Sequence, residues 1–235
     1  MPNVSQPLVR GFAGENRILD DNMLPDNVSP DAQNCEYDSG TIRKRNGFER
    51  LHSTAILDGG LTISTGIYAE AMHLAAYNPG TSQFTVECFV RFKTTPDGDA
   101  ILFSKQRVFG NEGWALRYDS TANKLVGYAC GDSARTLYSN QTVTLDTVYH
   151  VVMLRGADNV IRLYVNDVAG DTATDSGSIS YTSNLVFGFS GIAQSIQMDE
   201  FRIWSDARTT AEIAATRYRE LNGTEIRDTN LVGYW

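Results

Sequence analysis

The sequence predicts an all-β protein built as two packed antiparallel sheets, and three observations predict it. Twenty glycines stand against six prolines, with Thr, Ser, Asn and Asp spread along the chain, a composition that suits many short strands joined by polar turns. From about Leu51 to Trp235, strand-like runs of five to nine residues recur between Gly, Asn and Asp. A single segment near the C-terminus carries a helix-start signature. The 235 residues, 42% hydrophobic and 20% charged, have the profile of a folded chain with one sizeable core. A net charge of −8 argues against nucleic-acid binding, which needs clustered Lys and Arg to neutralise phosphates. It leaves proteins and neutral sugars as the expected partners.

Residues 1–50 are rich in turn residues (Asp20-Asp21-Asn22, Leu24-Pro25-Asp26-Asn27, Ser29-Pro30-Asp31) and have no sustained apolar period. They are expected to form an extended arm, and residues 51–235 the folded domain. The clearest strand is Phe84–Phe92, where Phe84, Val86, Cys88, Val90 and Phe92 share one face and Thr85, Glu87 and Arg91 the other. Phe89 stands on the polar face, either covered by a neighbouring element or available as a stacking platform. Further strands are expected at Ala100–Lys105, Gly113–Tyr118, Lys124–Cys130, Val148–Arg155 and Val160–Asp167. The run Tyr149–Leu154 is almost continuously apolar, as in a central strand buried on both faces. Gly156–Asn159 reads as a hairpin connection to the next strand, and Asn166-Asp167 as a pair that tolerates the positive φ of tight turns.

In Ile196–Trp204, strict alternation puts Asp199 in phase with Phe201 and Ile203, with Glu200 and Arg202 on the opposite side. A buried carboxylate there needs capping N–H groups or a cation. The helix follows: Thr209-Thr210-Ala211-Glu212 is a capping box, with Ile213, Ala214, Arg217, Tyr218 and Leu221 at helical spacing and Asn222-Gly223 as terminator.

Three cysteines, Cys35, Cys88 and Cys130, form no CxxC pair and read as reduced and mostly buried. There is no basic-then-apolar leader and no membrane-length apolar run, so synthesis and assembly in a cytoplasm are expected. No G-x-S-x-G, Walker, GxGxxG, HExxH or complete EF-hand motif occurs. Asp199 and Glu200 are adjacent on a strand, so alternation forbids them from acting as a glycosidase pair. The chain is therefore expected not to be an enzyme and to require no cofactor.

In order, Phe84–Arg91, Ile101–Lys105, Gly113–Leu116, Tyr149–Val152, Leu163–Asp167 and Met198–Trp204 with Thr210–Ile213 resemble the consensus of laminin-G-like, concanavalin A-like jelly rolls, over about Asp58 to Gly223. The resemblance implies two antiparallel sheets packed face to face, and leaves calcium open, since related domains bind it at a sheet rim. Leu231–Trp235 resembles the family's opening strand but stands last here; it is expected to return as a C-terminal strand. A second resemblance covers Leu24-Pro25, Ser29–Tyr37 and Gly40–Phe48, which are similar to the N-terminal segment of tailed-bacteriophage tail-hub and nozzle-type virion proteins. It implies a virion protein, present in symmetric multiple copies, whose arm docks on tail, neck or capsid subunits through Leu24, Pro25, Arg43, Lys44, Arg45 and Phe48. The alternative is a glycan-binding, lectin-like module for host-surface adsorption, with Phe89, Trp114, Tyr128 and Tyr138 as candidate sugar contacts.

Overall fold

The computed structural model describes residues 35–38, 41–44, 61–63, 69–105, 112–189, 196–218, 221 and 224–235. The chain divides into two units, residues 1–48 and 49–235. In the first, β1 (Cys35–Asp38) and β2 (Thr41–Lys44) pair antiparallel, Cys35 opposite Lys44. Arg43 and Lys44 thus lie on a hairpin strand. Leu24, Pro25, Arg45 and Phe48 lie outside the described residues.

The second unit holds β3 (Leu61–Ile63), β4 (Ala69–Ala71), β5 (Phe84–Phe92), β6 (Ala100–Ser104), β7 (Gly113–Asp119), β8 (Lys124–Cys130), β9 (Ala134–Thr142), β10 (Val148–Arg155), β11 (Val160–Val165), β12 (Val168–Thr174), β13 (Leu185–Phe189), β14 (Ile196–Trp204), helix α1 (Thr210–Thr216) and β15 (Leu231–Tyr234). One sheet of seven strands runs β12-β11-β10-β5-β14-β15, with β3 also against β14; the other, of six, runs β4-β13-β6-β7-β8-β9. Every pairing is antiparallel. The predicted two-sheet sandwich with one short helix is the observed architecture, and Leu231–Tyr234 does return as a closing strand on β14.

The core lies between the sheets. From β5, Phe84, Val86, Cys88, Val90 and Phe92 all enter it, as alternation predicts. Phe103, Trp114, Phe187 and Phe201 form its aromatic centre, with neighbouring ring centroids 4.9–5.3 Å apart. Such ring pairs each add about 0.5–1.5 kcal/mol beyond area burial. Strand β10 is buried on both faces: Tyr149, Val151 and Met153 face the core, while Val152 and Leu154 pack outward against Ile213 of α1. The Thr209/Glu212 capping box forms in both directions, Glu212 N–H to Thr209 Oγ1 at 3.2 Å and Thr209 N–H to Glu212 Oε2 at 2.8 Å. The helix ends at Thr216, before the predicted terminator.

The phase expected for β14 is corrected. A β-bulge lies between Asp199 and Arg202, with Glu200 at a φ of 53°. The extra residue reverses the alternation: Met198 and Phe201, three apart, both face the core, and Asp199 stands opposite Phe89 on the outer face. The Asp199 carboxylate accepts the Glu200 N–H at 2.9 Å. The hairpin positions read from sequence hold, with Asn159, Asn166 and Asp167 at φ of 59°, 50° and 66°.

Strands β9 and β12 escape sequence reading because their side chains are largely exposed and polar. They bring the sheets together along one edge. The Asp171 carboxylate accepts the Tyr138 N–H at 3.0 Å, and Arg135 Nε donates to the Thr174 carbonyl at 2.8 Å. Edge groups that would otherwise template pairing with another chain are thereby occupied.

Candidate functional site

Two polar assemblies stand outside the core. The first lies on the outer face of the seven-stranded sheet, centred on Glu87 of β5, which is 1% exposed. Its Oε2 is 2.8 Å from His150 Nε2; its Oε1 accepts from Trp204 Nε1 at 3.0 Å and lies 3.6 Å from Arg202 Nη1. Arg202 also binds the Glu200 carboxylate and donates to the Thr216 carbonyl at 3.2 Å, tying the end of α1 to the sheet. The Tyr234 hydroxyl lies 2.9 Å from both Glu200 oxygens. Phe89 stacks on His150 at 4.5 Å and is 1% exposed. It is therefore covered, and the expectation that it offers a sugar platform is corrected. Asp199 and Glu200 do not diverge as alternation required; both are buried and engaged in internal hydrogen bonds.

Burial alone would push the Glu87 carboxyl up, but Arg202, His150 and Trp204 outweigh it and hold it at about 2. Burial pushes His150 down against the opposing pull of Glu87, favouring a neutral ring whose Nε2–H donates to the carboxylate. This assembly is closed to ligands and acts as structural glue.

The second assembly opens to solvent at one rim of the sandwich, where the β8–β9 turn meets the segment between β12 and β13. Asp175 locks the two. Its carboxylate accepts N–H bonds from Gly131 at 2.9 Å, Asp132 at 3.1 Å and Gly177 at 2.9 Å. Burial raises its pKa, but these three donors outweigh that and hold it below the ordinary carboxylate value. Only glycine fits where the segments touch: a Cβ on Gly177 would lie 2.0 Å from the Asp132 nitrogen. Beneath, the fully buried Arg155 guanidinium donates to the carbonyls of Gly80, Ser82 and Gly177, and Gly80 pairs with Ile179.

Above this floor is a cleft of about 920 Å³. Asn78, Glu112, Asp132, Ser133, Ser178, Ser180, Tyr181 and Thr182 contribute to its lining. Asn78 Oδ1 accepts the Tyr181 N–H at 3.0 Å, which leaves its amide NH2 as a donor. Asp132 Oδ1 takes Arg135 at 3.2 Å and Ser133 Oγ at 3.4 Å. The cleft thus presents hydroxyls, an amide, two carboxylates and one phenol ring on a rigid base. Sequence reading missed it because its residues lie scattered in turns far apart in the chain; the Cys130–Asp132 turn was the only local signal.

Of the other sequence-predicted contacts, Trp114 is fully buried in the core and its Nε1 donates to the Tyr77 carbonyl at 2.9 Å, so it is corrected to a packing residue. It also borders a smaller cavity of about 220 Å³ with Tyr77, Phe84 and Trp204. Tyr128 and Tyr138 share the outer face of the six-stranded sheet, on β8 and β9. Tyr128 is 4% exposed beneath the Arg117 guanidinium, 3.9 Å above its ring; Tyr138 is half-buried and bonds Asp119 at 3.2 Å. Cys88 lies in the core, where burial and then Glu87 raise its thiol pKa. Among the described residues no cluster of three His, Cys, Asp or Glu side chains is arranged to hold a metal. No described helix is long and apolar enough to cross a membrane.

Residues 64–214 match the model of the concanavalin A-like lectin/glucanases superfamily, and the chain belongs to that family. Similar solved structures include the CBM40 module of the Ruminococcus gnavus IT-sialidase bound to α2,3-sialyllactose, at 17% identity and a TM-score of 0.52, covering 67% of this chain and 96% of that one. The receptor-binding domain of botulinum neurotoxin D aligns at 12% identity and a TM-score of 0.54, over 77% of this chain and 50% of that chain. The binding domain of Paraclostridial Mosquitocidal Protein 1 aligns at 15% identity and a TM-score of 0.51, again over 77% and 50%. This chain thus spans about half the length of the two toxin chains. No curated protein sequence matches it.

The outer-face assembly makes stability fall with acid. The folded-state pKa values of Glu87 and His150 are both below their ordinary values of 4.5 and 6.5, so the unfolded chain binds more protons. The thermal midpoint should hold above pH 7, begin to fall through 6.5 and fall further between 4.5 and about 2. Glu87→Gln, which removes the buried negative charge facing Arg202 and one of the two oxygens that accept from His150 and Trp204, should cost about 3 kcal/mol at pH 7 in denaturant unfolding. A flat midpoint down to pH 4 would contradict the assignment.

Proposed function

We propose that this chain is a carbohydrate-binding, lectin-like module that engages glycans at the rim cleft. The carrying observation is the cleft itself: a rigid, hydroxyl-lined concavity with two carboxylates, a free amide and a tyrosine ring, on a fold of the lectin and glucanase family. Sugars are bound by such sets, since carboxylates and amides pair with vicinal hydroxyls and an aromatic face covers the C–H side of a ring. Two of the three neighbours support the reading by their own names, one a carbohydrate-binding module holding sialyllactose and one a receptor-binding domain. The floor held by Asp175 and Arg155 spares the protein an ordering cost on binding.

The Glu87 cluster and the Asp175–Arg155 floor supply the scaffold, and no chemistry of bond cleavage is assigned to either. In this reading Glu87, Glu200 and Asp175 serve the structure, while Asp132 and Glu112 face the cleft and are free of any catalytic role.

A second reading joins the first and rests on the resemblance of residues 24–48 to tailed-phage virion proteins, with Arg43 and Lys44 on a hairpin strand. In it the hairpin segment attaches to a particle and the sandwich faces outward as the glycan reader. Stoichiometric copies in purified particles would support attachment; a protein found only free of particles would remove it.

The glycan reading predicts that a printed-glycan screen finds a binder, and that Tyr181→Ala and Asp132→Ala each weaken it about tenfold or more with the thermal midpoint little changed. Binding untouched by both variants would move the site elsewhere, and an empty screen would remove the reading.

A further inference from the structure

The charges around the rim cleft select among glycans. Its lining carries Glu112 and Asp132 and, among the described residues, no Lys, Arg or His. Among the described residues the nearby cations already have partners, Arg135 through Asp132 of the cleft itself. Arg155 is fully buried beneath the floor and spends its guanidinium on three backbone carbonyls. Arg135 is held by the Thr174 carbonyl and by Asp132, whose charge it shares while remaining outside the lining. Arg117 lies over the Tyr128 ring on the sheet face. Lys105, fully buried, directs its ammonium to His73 Nδ1 at 2.8 Å and to the Ser183 carbonyl. An anionic sugar entering the cleft would lose water from its carboxylate or sulfate without gaining a cation from the described lining, and would meet Glu112 and an Asp132 whose charge Arg135 only shares. A neutral sugar meets the reverse situation, because its hydroxyls donate to those same carboxylates in charge-assisted hydrogen bonds.

We infer that the rim cleft takes the neutral, hydroxyl-rich end of a glycan and rejects sialylated, uronic or sulfated ends. The inference rests on the cleft being the glycan site. It separates this chain from the similarly folded carbohydrate-binding module that holds α2,3-sialyllactose. Specificity here comes from a repulsive element as much as from attraction. The chain's net charge of −8 acts in the same direction at longer range.

The test uses the full chain and matched glycan pairs: neutral oligosaccharides such as lactose and N-acetyllactosamine, each beside its α2,3-sialylated and sulfated counterpart, at 20 mM and 300 mM NaCl. Neutral members should bind about tenfold tighter than their acidic counterparts at low salt, with the gap narrowing at high salt. The double variant Glu112→Gln/Asp132→Asn should narrow the gap at low salt about as much as salt does in the wild type. The salt series in the wild-type chain keeps the test standing if that variant folds poorly. Equal or tighter binding of the acidic members overturns the inference while leaving the glycan-binding reading intact. Binding of no member in any condition overturns both.

Discussion

The sandwich depends on a buried carboxylate that cannot be left alone. Glu87 sits in the middle of β5, the strand that joins β10 to β14 in the seven-stranded sheet, and it is buried on the face away from the aromatic core. An unpaired charge there would cost several kcal/mol, so the fold gathers His150, Trp204 and Arg202 around it. Each partner comes from an adjacent strand, and Arg202 passes the connection on to Glu200, Tyr234 and the last turn of the helix. The β14 bulge belongs to this arrangement. By adding one residue it puts Asp199 on the outer face beside Glu200 and Arg202 while both Met198 and Phe201 stay in the core.

The rim is organised on the same physical rule with different groups. Asp175 is satisfied by backbone N–H groups and Arg155 by backbone carbonyls, so two loops with little apolar surface are fixed by saturated hydrogen bonding. Gly131 and Gly177 allow the backbones to touch; a side chain at either would wedge them apart. The result is a preformed polar concavity, the form in which a sandwich can bind a flexible, strongly hydrated sugar without also ordering its own loops.

Much of the scaffold was legible in the sequence. Alternation over Phe84–Phe92, the Asn166-Asp167 turn and the capping box at Thr209 follow from local chemistry that tertiary packing reinforces, and the closing strand at Leu231 from the family resemblance. The phase of β14 was not, because a bulge is an insertion relative to the partner strand and leaves no mark on the strand's own period. Phe89 looked like a platform because it stands on the polar face of its strand, but it is covered there by His150 and Tyr218, and Trp114 is packed between the sheets. Strands β9 and β12 carry no apolar stripe, and the cleft they help to frame is assembled from Asn78, Glu112, the Cys130–Ala134 turn and residues around Ser178–Thr182, which are far apart in the chain. Sites of this kind become visible only when the topology closes.

The most direct measurement is an amide-resolved NMR titration of the isotope-labelled chain with a neutral oligosaccharide. Shifts concentrated at Gly131–Ser133 and Ser178–Thr182, with the Asn78 side-chain amide moving at the same ligand concentrations, are the predicted result. Shifts confined to the middle of β8 and β9 around Tyr128 and Tyr138, with the rim silent, would contradict the account and place recognition on the sheet face.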